Sequence, residues 1–151
     1  MKKFVTLKNC LRVLAAIFGL VAALMVFANQ LHYGSLYYGP SDTFFGNNLT
    51  SGTVLPFIGY LMIALGVIAI CVLTFVKVDN KYAKIVTFAL SGDLIVAAIF
   101  LFLAAATFNS ANGFDGVASL AGGPIVGAIF AILASLSLCG SEFVSDKPIL
   151  K

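Results

Sequence analysis

The sequence predicts an all-α fold, in which an integral membrane protein forms an antiparallel bundle of four transmembrane helices with a small β-hairpin-like loop between the first two. Three observations carry this prediction. Hydrophobic residues make up 61% of the chain and charged residues only 10%, whereas ordinary soluble domains hold about 45–50% and about 25%. Four long apolar runs follow one another along the chain, and all 9 Lys and Arg residues lie on one side of them.

The composition also excludes several classes of protein. A chain of 151 residues with a mean hydropathy of +1.07 cannot bury so much apolar surface and still present a charged surface to water. Intrinsic disorder, a secreted disulfide scaffold and a nucleic-acid binder are excluded by the same composition. The partner that the composition predicts is the lipid bilayer.

The four apolar runs each have the length of a membrane span, which needs about 20 mostly apolar residues. The runs are continuous rather than alternating, so they indicate helices and not strands. Within a single membrane domain, 1–151, we predict spans at 11–29, 55–76, 85–108 and 118–139. The connecting segments are the outer loops 30–54 and 109–117, the inner loop 77–84 and a cytoplasmic tail, 140–151.

The positions of the basic residues predict the direction of the helices. Basic residues precede the first span or, as Arg12, lie at its inner edge, and others lie between the second and third spans and after the fourth, whereas the outer loops contain none. By the positive-inside rule, both termini should be cytoplasmic. We expect a multi-pass protein of a bacterial plasma membrane. A cleaved secretory signal is the alternative for the first run, but its length favours a retained span.

The first outer loop contains two short aromatic runs, 36–38 and 43–45, on either side of a Gly-Pro-Ser-Asp turn. This pattern predicts a small hairpin. Its aromatic side chains have two interpretations, an interfacial belt that also includes Tyr60 or a surface that recognises a partner. The candidates for recognition are Tyr37, Tyr38, Phe44 and Phe45.

Small residues recur every four positions along the fourth helix, which places them on one stripe. Close backbone approach is a main source of helix association in lipid, so the stripe predicts helix packing. The candidates are Gly123, Gly127 and Ala131, with Gly19 on the first helix. The stripe either closes the bundle within one chain or binds another protomer or a partner protein.

Asp93 is the only acidic residue inside any predicted span, and it lies about 12 Å into the third. Arg12, at the inner edge of the first helix, is too far away to be an obvious partner. We therefore expect a protonated Asp93 that donates a hydrogen bond to a neighbouring helix. The alternatives are a proton or cation site, and a charge pair with another protein. The intramembrane polar site predicted around it consists of Asp93, Ser91, Ser135 and Thr87.

The sequence lacks the residue groupings of an enzyme. It has one His, and it shows no nucleophile-and-base arrangement, no paired carboxylates and no cluster with the spacing of metal ligands. We expect no catalytic activity, no metal and no cofactor.

Two classes of function remain. The first is a non-catalytic accessory, assembly or cell-surface interaction subunit that acts through helix packing and the aromatic outer loop. The second is a small transporter or channel subunit in which Asp93 serves as the proton or cation site. Four helices are few for a solitary pore, so the second class implies a homo-oligomer.

Overall fold

The computed structural model describes residues 6–76 and 80–144, which form five α-helices, one 3₁₀ turn, one π-helical turn and a three-stranded antiparallel sheet. The helices are α1 (Leu7–Leu24), α2 (Val54–Phe75), α3 (Asn80–Phe102), α4 (Ala104–Asn112) and α5 (Gly122–Gly140). The strands are β1 (Leu31–Tyr33), β2 (Leu36–Tyr38) and β3 (Ser119–Leu120). The predicted bundle of four long apolar helices is confirmed. Parts of the predicted inner loop, at 77–79, and of the tail, from 145 onward, lie outside the described residues.

The four long helices pack as a ring in the order α1, α2, α3, α5, so that α5 lies between α3 and α1. Neighbouring helices run in opposite directions. Lys8, near the start of α1, therefore reaches Glu142, just beyond the end of α5, at 2.9 Å. We call the end of the bundle that carries this contact the ion-pair end, and the opposite end, which carries the sheet, the sheet end.

The outward faces of these helices are apolar. Ile17, Leu20, Leu65, Ile68 and Leu136 are each between 52% and 62% exposed. Soluble monomers rarely show apolar surface of this extent, and four helices are long and apolar enough to cross a bilayer. The chain is therefore a multi-pass membrane protein whose exposed apolar side chains contact lipid.

The helix at the N-terminal side starts earlier than the predicted span, 11–29. The Thr6 hydroxyl accepts a hydrogen bond from the Asn9 N–H at 3.2 Å, and this cap starts α1 before the apolar run begins. The helix then tightens into a 3₁₀ turn at Met25–Phe27. Hydropathy marks where a helix meets lipid, whereas the cap decides where its backbone begins.

The third and fourth predicted spans also differ from the observed helices. The run 85–108 is divided, because α3 ends at Phe102 and the residues after Leu103 form α4. Phe108 is fully buried with Leu31 in a second core beneath the sheet. Near the start of the run 118–139, Ser119 and Leu120 form β3, which pairs with β1, so α5 begins only at Gly122. Both segments are apolar because they fill a protein core rather than because they cross lipid.

The hairpin between the first two long helices is confirmed, and the first aromatic run, 36–38, is its strand β2, but the second strand is not the one that the pattern suggested. β1 pairs with β2, with Leu31 opposite Tyr38, and the turn lies at Gly34, whose φ of +57° suits glycine. The second aromatic run instead forms a single π-helical turn, Ser41–Phe45. The prediction of a strand at 43–45 was wrong because Phe44 turns into the bundle core, where it is 3% exposed.

Candidate functional site

Asp93 lies about 18 Å along α3 from Lys81, close to the middle of the span Lys81–Phe102. On insertion scales, an ionised carboxylate at that depth costs at least about 2.5–3.5 kcal/mol. Its side chain is half-buried and lies beside Gly66, where an added Cβ would be 3.9 Å from Asp93 Oδ2. The carboxylate therefore faces α2 rather than the centre of the bundle.

A groove of about 480 Å³ runs between α2 and α3 at this point. Two turns of α2, residues 62–69, and two turns of α3, residues 86–93, form its walls. The groove opens away from the bundle core, because Leu65 and Val86 on its walls are 58% and 40% exposed. The Asp93 carboxylate is the one charged group in its lining. We call this feature the Asp93 groove.

The other residues of the predicted polar site lie at a different interface. The Ser135 hydroxyl donates to the Ser91 carbonyl at 2.8 Å and joins α5 to α3. The Ser91 hydroxyl donates in turn to the Thr87 carbonyl at 2.9 Å. Asp93 is two residues beyond Ser91, about 200° further round the helix, and so points away from them. In the part of the chain that the structure describes, no hydrogen bond reaches its carboxyl group.

A buried ion-pair cluster at the ion-pair end joins all four long helices. Glu142 accepts hydrogen bonds from Arg12 Nη2 at 2.8 Å and from Lys8 Nζ at 2.9 Å. The Thr87 hydroxyl of α3 lies 3.1 Å from the same carboxylate. Arg12 Nη1 also donates to the Leu73 carbonyl of α2 at 3.3 Å. One carboxylate and one guanidinium thereby connect α1, α2, α3 and the end of α5.

The electrostatics of this cluster favour a charged Glu142. Its side chain is only 4% exposed, and burial alone would raise the pKa of the carboxyl group. The hydrogen bonds from Lys8, Arg12 and Thr87, together with the positive charge of Lys8, outweigh burial and hold the pKa of Glu142 below its ordinary value. Arg12, itself 6% exposed, therefore has its counter-ion within the chain and is not available to Asp93.

A buried glutamine organises the sheet end. Gln30 is fully buried, and its Nε2 donates to the carbonyls of Met25, Val26 and Ala28 at 3.0, 3.2 and 2.7 Å. Its Oε1 accepts from the Tyr60 hydroxyl at 3.0 Å. The side chain thus donates to three carbonyls at the end of the first helix and the residues that follow it, where intrahelical donors run out. Tyr60 is 3% exposed, so it belongs to the core and not to an interfacial belt.

The predicted stripe on α5 packs inside the chain. Gly123, Gly127 and Ala131 are all buried. A Cβ added to Gly127 would lie 3.1 Å from Leu101 Cδ1 and 3.2 Å from Tyr60 Cε1. The stripe therefore meets the neighbouring helices of its own bundle, and no partner can reach it without opening the fold.

Gly19 has the corresponding role between α1 and α2. A Cβ added there would lie 2.6 Å from Val67 Cγ2, so any larger residue would force Val67 or the helices to shift. Gly59 also allows α2 to approach α3 closely, since a Cβ at that position would lie 3.1 Å from the Ala97 carbonyl oxygen. Small residues thus set the helix spacing, as expected in lipid.

The four aromatic candidates of the first outer loop divide into two pairs. Tyr38 packs on Phe108 at a ring distance of 5.1 Å, and Phe44 packs between Phe57 and Tyr60 in the core. Tyr37 and Phe45 are 64% and 69% exposed. Only the second pair is placed to contact a partner.

Comparison of the chain with protein-family models, with curated proteins and with solved structures finds no match. Within residues 6–76 and 80–144, no three His, Cys, Asp or Glu side chains come together as possible metal ligands. The three cysteines are free thiols. Function must therefore be inferred from the geometry of the chain itself.

Sequence reasoning missed two of these features, the pair formed by Arg12 with Glu142 and the buried Gln30. A signal for the first was present, because Arg12 follows Leu11 inside an apolar run, and a basic residue in such a position needs a counter-ion. Gln30 gave no comparable signal. A glutamine just after a helix is as common on a surface as in a cap, and only the fold shows that it is enclosed.

Proposed function

We propose that this chain is a non-catalytic accessory or assembly subunit of a membrane, which acts through surfaces that it presents to other membrane proteins. The observation that carries this proposal is the contrast between a filled interior and polar or aromatic groups that face outward. The Asp93 groove opens to the surroundings of the bundle, and Tyr37 and Phe45 project from the sheet end.

The filled interior argues against a pore through one chain. Ile63, Leu94, Leu101, Ala131 and Leu138 are fully buried along the bundle. A conducting path along the axis would have to displace these side chains, which come from α2, α3 and α5. A rigid scaffold needs such packing, because its outer surfaces must keep a constant shape.

The exposed residues at the sheet end support a role in recognition. Tyr37 and Phe45 are accompanied by Leu36 and Leu49, which are 58% and 90% exposed. Tyr37 lies on strand β2 and Phe45 ends the π-helical turn Ser41–Phe45. Both belong to hydrogen-bonded backbone, which favours their use as interface anchors. We propose that this end lies outside the cell and that both termini lie in the cytoplasm of a plasma membrane, because the basic residues that the structure describes lie toward the opposite end.

Site-specific photocrosslinking in native membranes tests the proposal. A photoreactive phenylalanine at position 37 or 45 should yield one dominant protein adduct, whereas the same group at Leu136, which is 62% exposed on the lipid-facing side of α5, should yield none. Substitution of Phe45 by Ala should weaken the adduct formed from position 37. Equal adducts from all three positions, or lipid adducts alone, would contradict a recognition surface.

A second candidate function, a small oligomeric transporter or channel subunit, is favoured by one observation. Asp93 places a carboxylate at mid-span in a groove of about 480 Å³, as a proton or cation site requires. In that case, purified protein in liposomes should support a pH- or ion-dependent flux that Asp93→Asn abolishes. A flux that is absent, or that the variant retains, counts against this candidate.

A further inference from the structure

The Asp93 groove has the geometry of a seat for another helix. The residues that line it recur at positions i, i+3, i+4 and i+7 on both walls, so two parallel ridges enclose a channel about two turns long. Gly66, Ala69 and Ala89 on those walls are small. Small side chains let a third helix approach the backbones closely, which is how helices associate in lipid.

The floor of the groove has an uncommon polar feature. Gly66 carries no side chain, and its neighbours Leu94 and Asp93 lie 3.5 Å and 3.9 Å from the point where a Cβ would be. The Asp93 carboxylate is therefore reachable from the groove rather than covered by α2. In hydrocarbon, an acidic group in such a position is stabilised by a cation or a hydrogen-bond donor supplied from the side that it faces.

This chain does not supply that cation at the right depth, even from a second copy. Its sequence has no Lys or Arg between residues 13 and 76 or between residues 85 and 146. The described basic residue deepest in the first helix, Arg12, is paired with Glu142. A second copy lying in the groove would therefore present no cation to Asp93, and its own Asp93 would be the one ionisable side chain at the same depth.

We propose that the Asp93 groove binds a single transmembrane helix of another protein, and that a Lys or Arg near the middle of that helix pairs with Asp93. This inference rests on the proposed function as an accessory subunit and names the chemistry of its partner. The small residues of the walls position the helix, and the carboxylate selects helices with a central cation over purely apolar ones.

Binding of defined transmembrane peptides tests the proposal. The probes are two polyleucine peptides of one span length, one with a central Lys and one without, carrying an acceptor dye. The full chain carries a donor dye on the exposed Cys10, with Cys71 and Cys139 replaced by Ala, in phosphatidylcholine vesicles. Energy transfer should show at least tenfold tighter binding of the Lys peptide.

Two variants identify the groove as the binding site. Asp93→Asn should remove the preference for the Lys peptide, and Gly66→Leu, which fills the groove, should weaken binding of both peptides. Gly92→Leu is the matched control, because a Cβ at Gly92 meets no atom within 4 Å. Circular dichroism and the elution volume of each variant should match those of the unmodified protein, which separates loss of binding from loss of fold.

Three results would overturn the proposal. Equal binding of the two peptides would do so, as would a preference that survives Asp93→Asn. The third is a homodimer that Asp93→Asn dissociates, which would make the occupant a second copy. These results do not depend on the adducts expected from positions 37 and 45 at the sheet end. The photocrosslinking experiment therefore tests the proposed accessory function separately from the peptide-binding experiment.

Discussion

Removal of the Glu142 charge should destabilise the whole bundle, because this carboxylate joins helices that are far apart in sequence. Glu142→Gln keeps the size of the side chain and one acceptor oxygen, but it leaves Arg12 without a counter-ion. Arg12 is 6% exposed, so its charge would remain buried. The Lys8 side chain is 16% exposed and can turn toward water.

The expected loss follows from these exposures. Removing one partner of a buried ion pair costs about 3–5 kcal/mol, mostly because the other charge stays buried and unpaired. Here one cation is stranded and the other can rehydrate, so we expect the lower end, about 3 kcal/mol in the free energy of unfolding. A fully exposed pair would contribute less than about 1 kcal/mol.

The measurement is equilibrium unfolding in mixed detergent–lipid micelles, followed by circular dichroism. Asp115→Asn is the matched control, because it removes the same charge from an exposed side chain. The double variant with Lys8→Met should lose little more than Glu142→Gln alone, since both changes break the same contact. The reasoning is refuted if Glu142→Gln costs no more than Asp115→Asn.

Three further predictions concern pH and packing. The pKa of Glu142 in the folded protein lies below its ordinary value of 4.5. Its contribution to stability is therefore present above about pH 4.5 and is lost as the pH falls through the folded pKa. Acid titration of the free energy of unfolding should show this loss in the unmodified protein and not in Glu142→Gln. Gly127→Val should cost about 2 kcal/mol or more by overpacking. Gly92→Val, whose Cβ meets no atom within 4 Å, should change the free energy of unfolding by less than about 0.5 kcal/mol, because Val is slightly better than Gly in a helix. Equal losses in thermal melts would contradict the packing of α5. Phe44→Ala should lower the free energy of unfolding by about 3–5 kcal/mol, because it removes a buried aromatic side chain. Phe45→Ala should lower it by less than about 1 kcal/mol, because Phe45 is 69% exposed. The reverse order would show that Phe45, and not Phe44, is the buried residue of the pair.

The neighbouring residues Phe44 and Phe45 show where sequence patterns stop being informative. A strand would send successive side chains to opposite faces, and so would many turns, so the pattern alone does not identify the buried one. The π-helical turn sends Phe44 against Phe57 and Tyr60. Residues 43–45 are consequently not a second strand of the hairpin: Thr43 and Phe44 are buried, whereas Phe45 is exposed.

The polar residues of α3 show a similar division. The presence of an acid within the span follows from the sequence, and so does its depth, because helical rise is constant. Which neighbour it faces depends on how α3 is rotated against α2 and α5. Ser91 and Thr87 face α5 and the ion-pair cluster, whereas Asp93 faces the groove. The predicted polar site is therefore divided into two: Ser91, Ser135 and Thr87 lie inside the bundle, and Asp93 lies in the groove.

The sequence by itself determined that the chain has four membrane helices, and it located Asp93 at mid-depth. These properties depend on local composition, since a bilayer of constant thickness selects any apolar run of sufficient length. The tertiary structure alone decided that Glu142 is the counter-ion of Arg12 across 130 positions, that Gln30 caps the first helix, and that Asp93 opens to a groove. Such pairings depend on helix rotation and on the order α1, α2, α3, α5 around the ring, and neither is recorded in the hydropathy of a single segment.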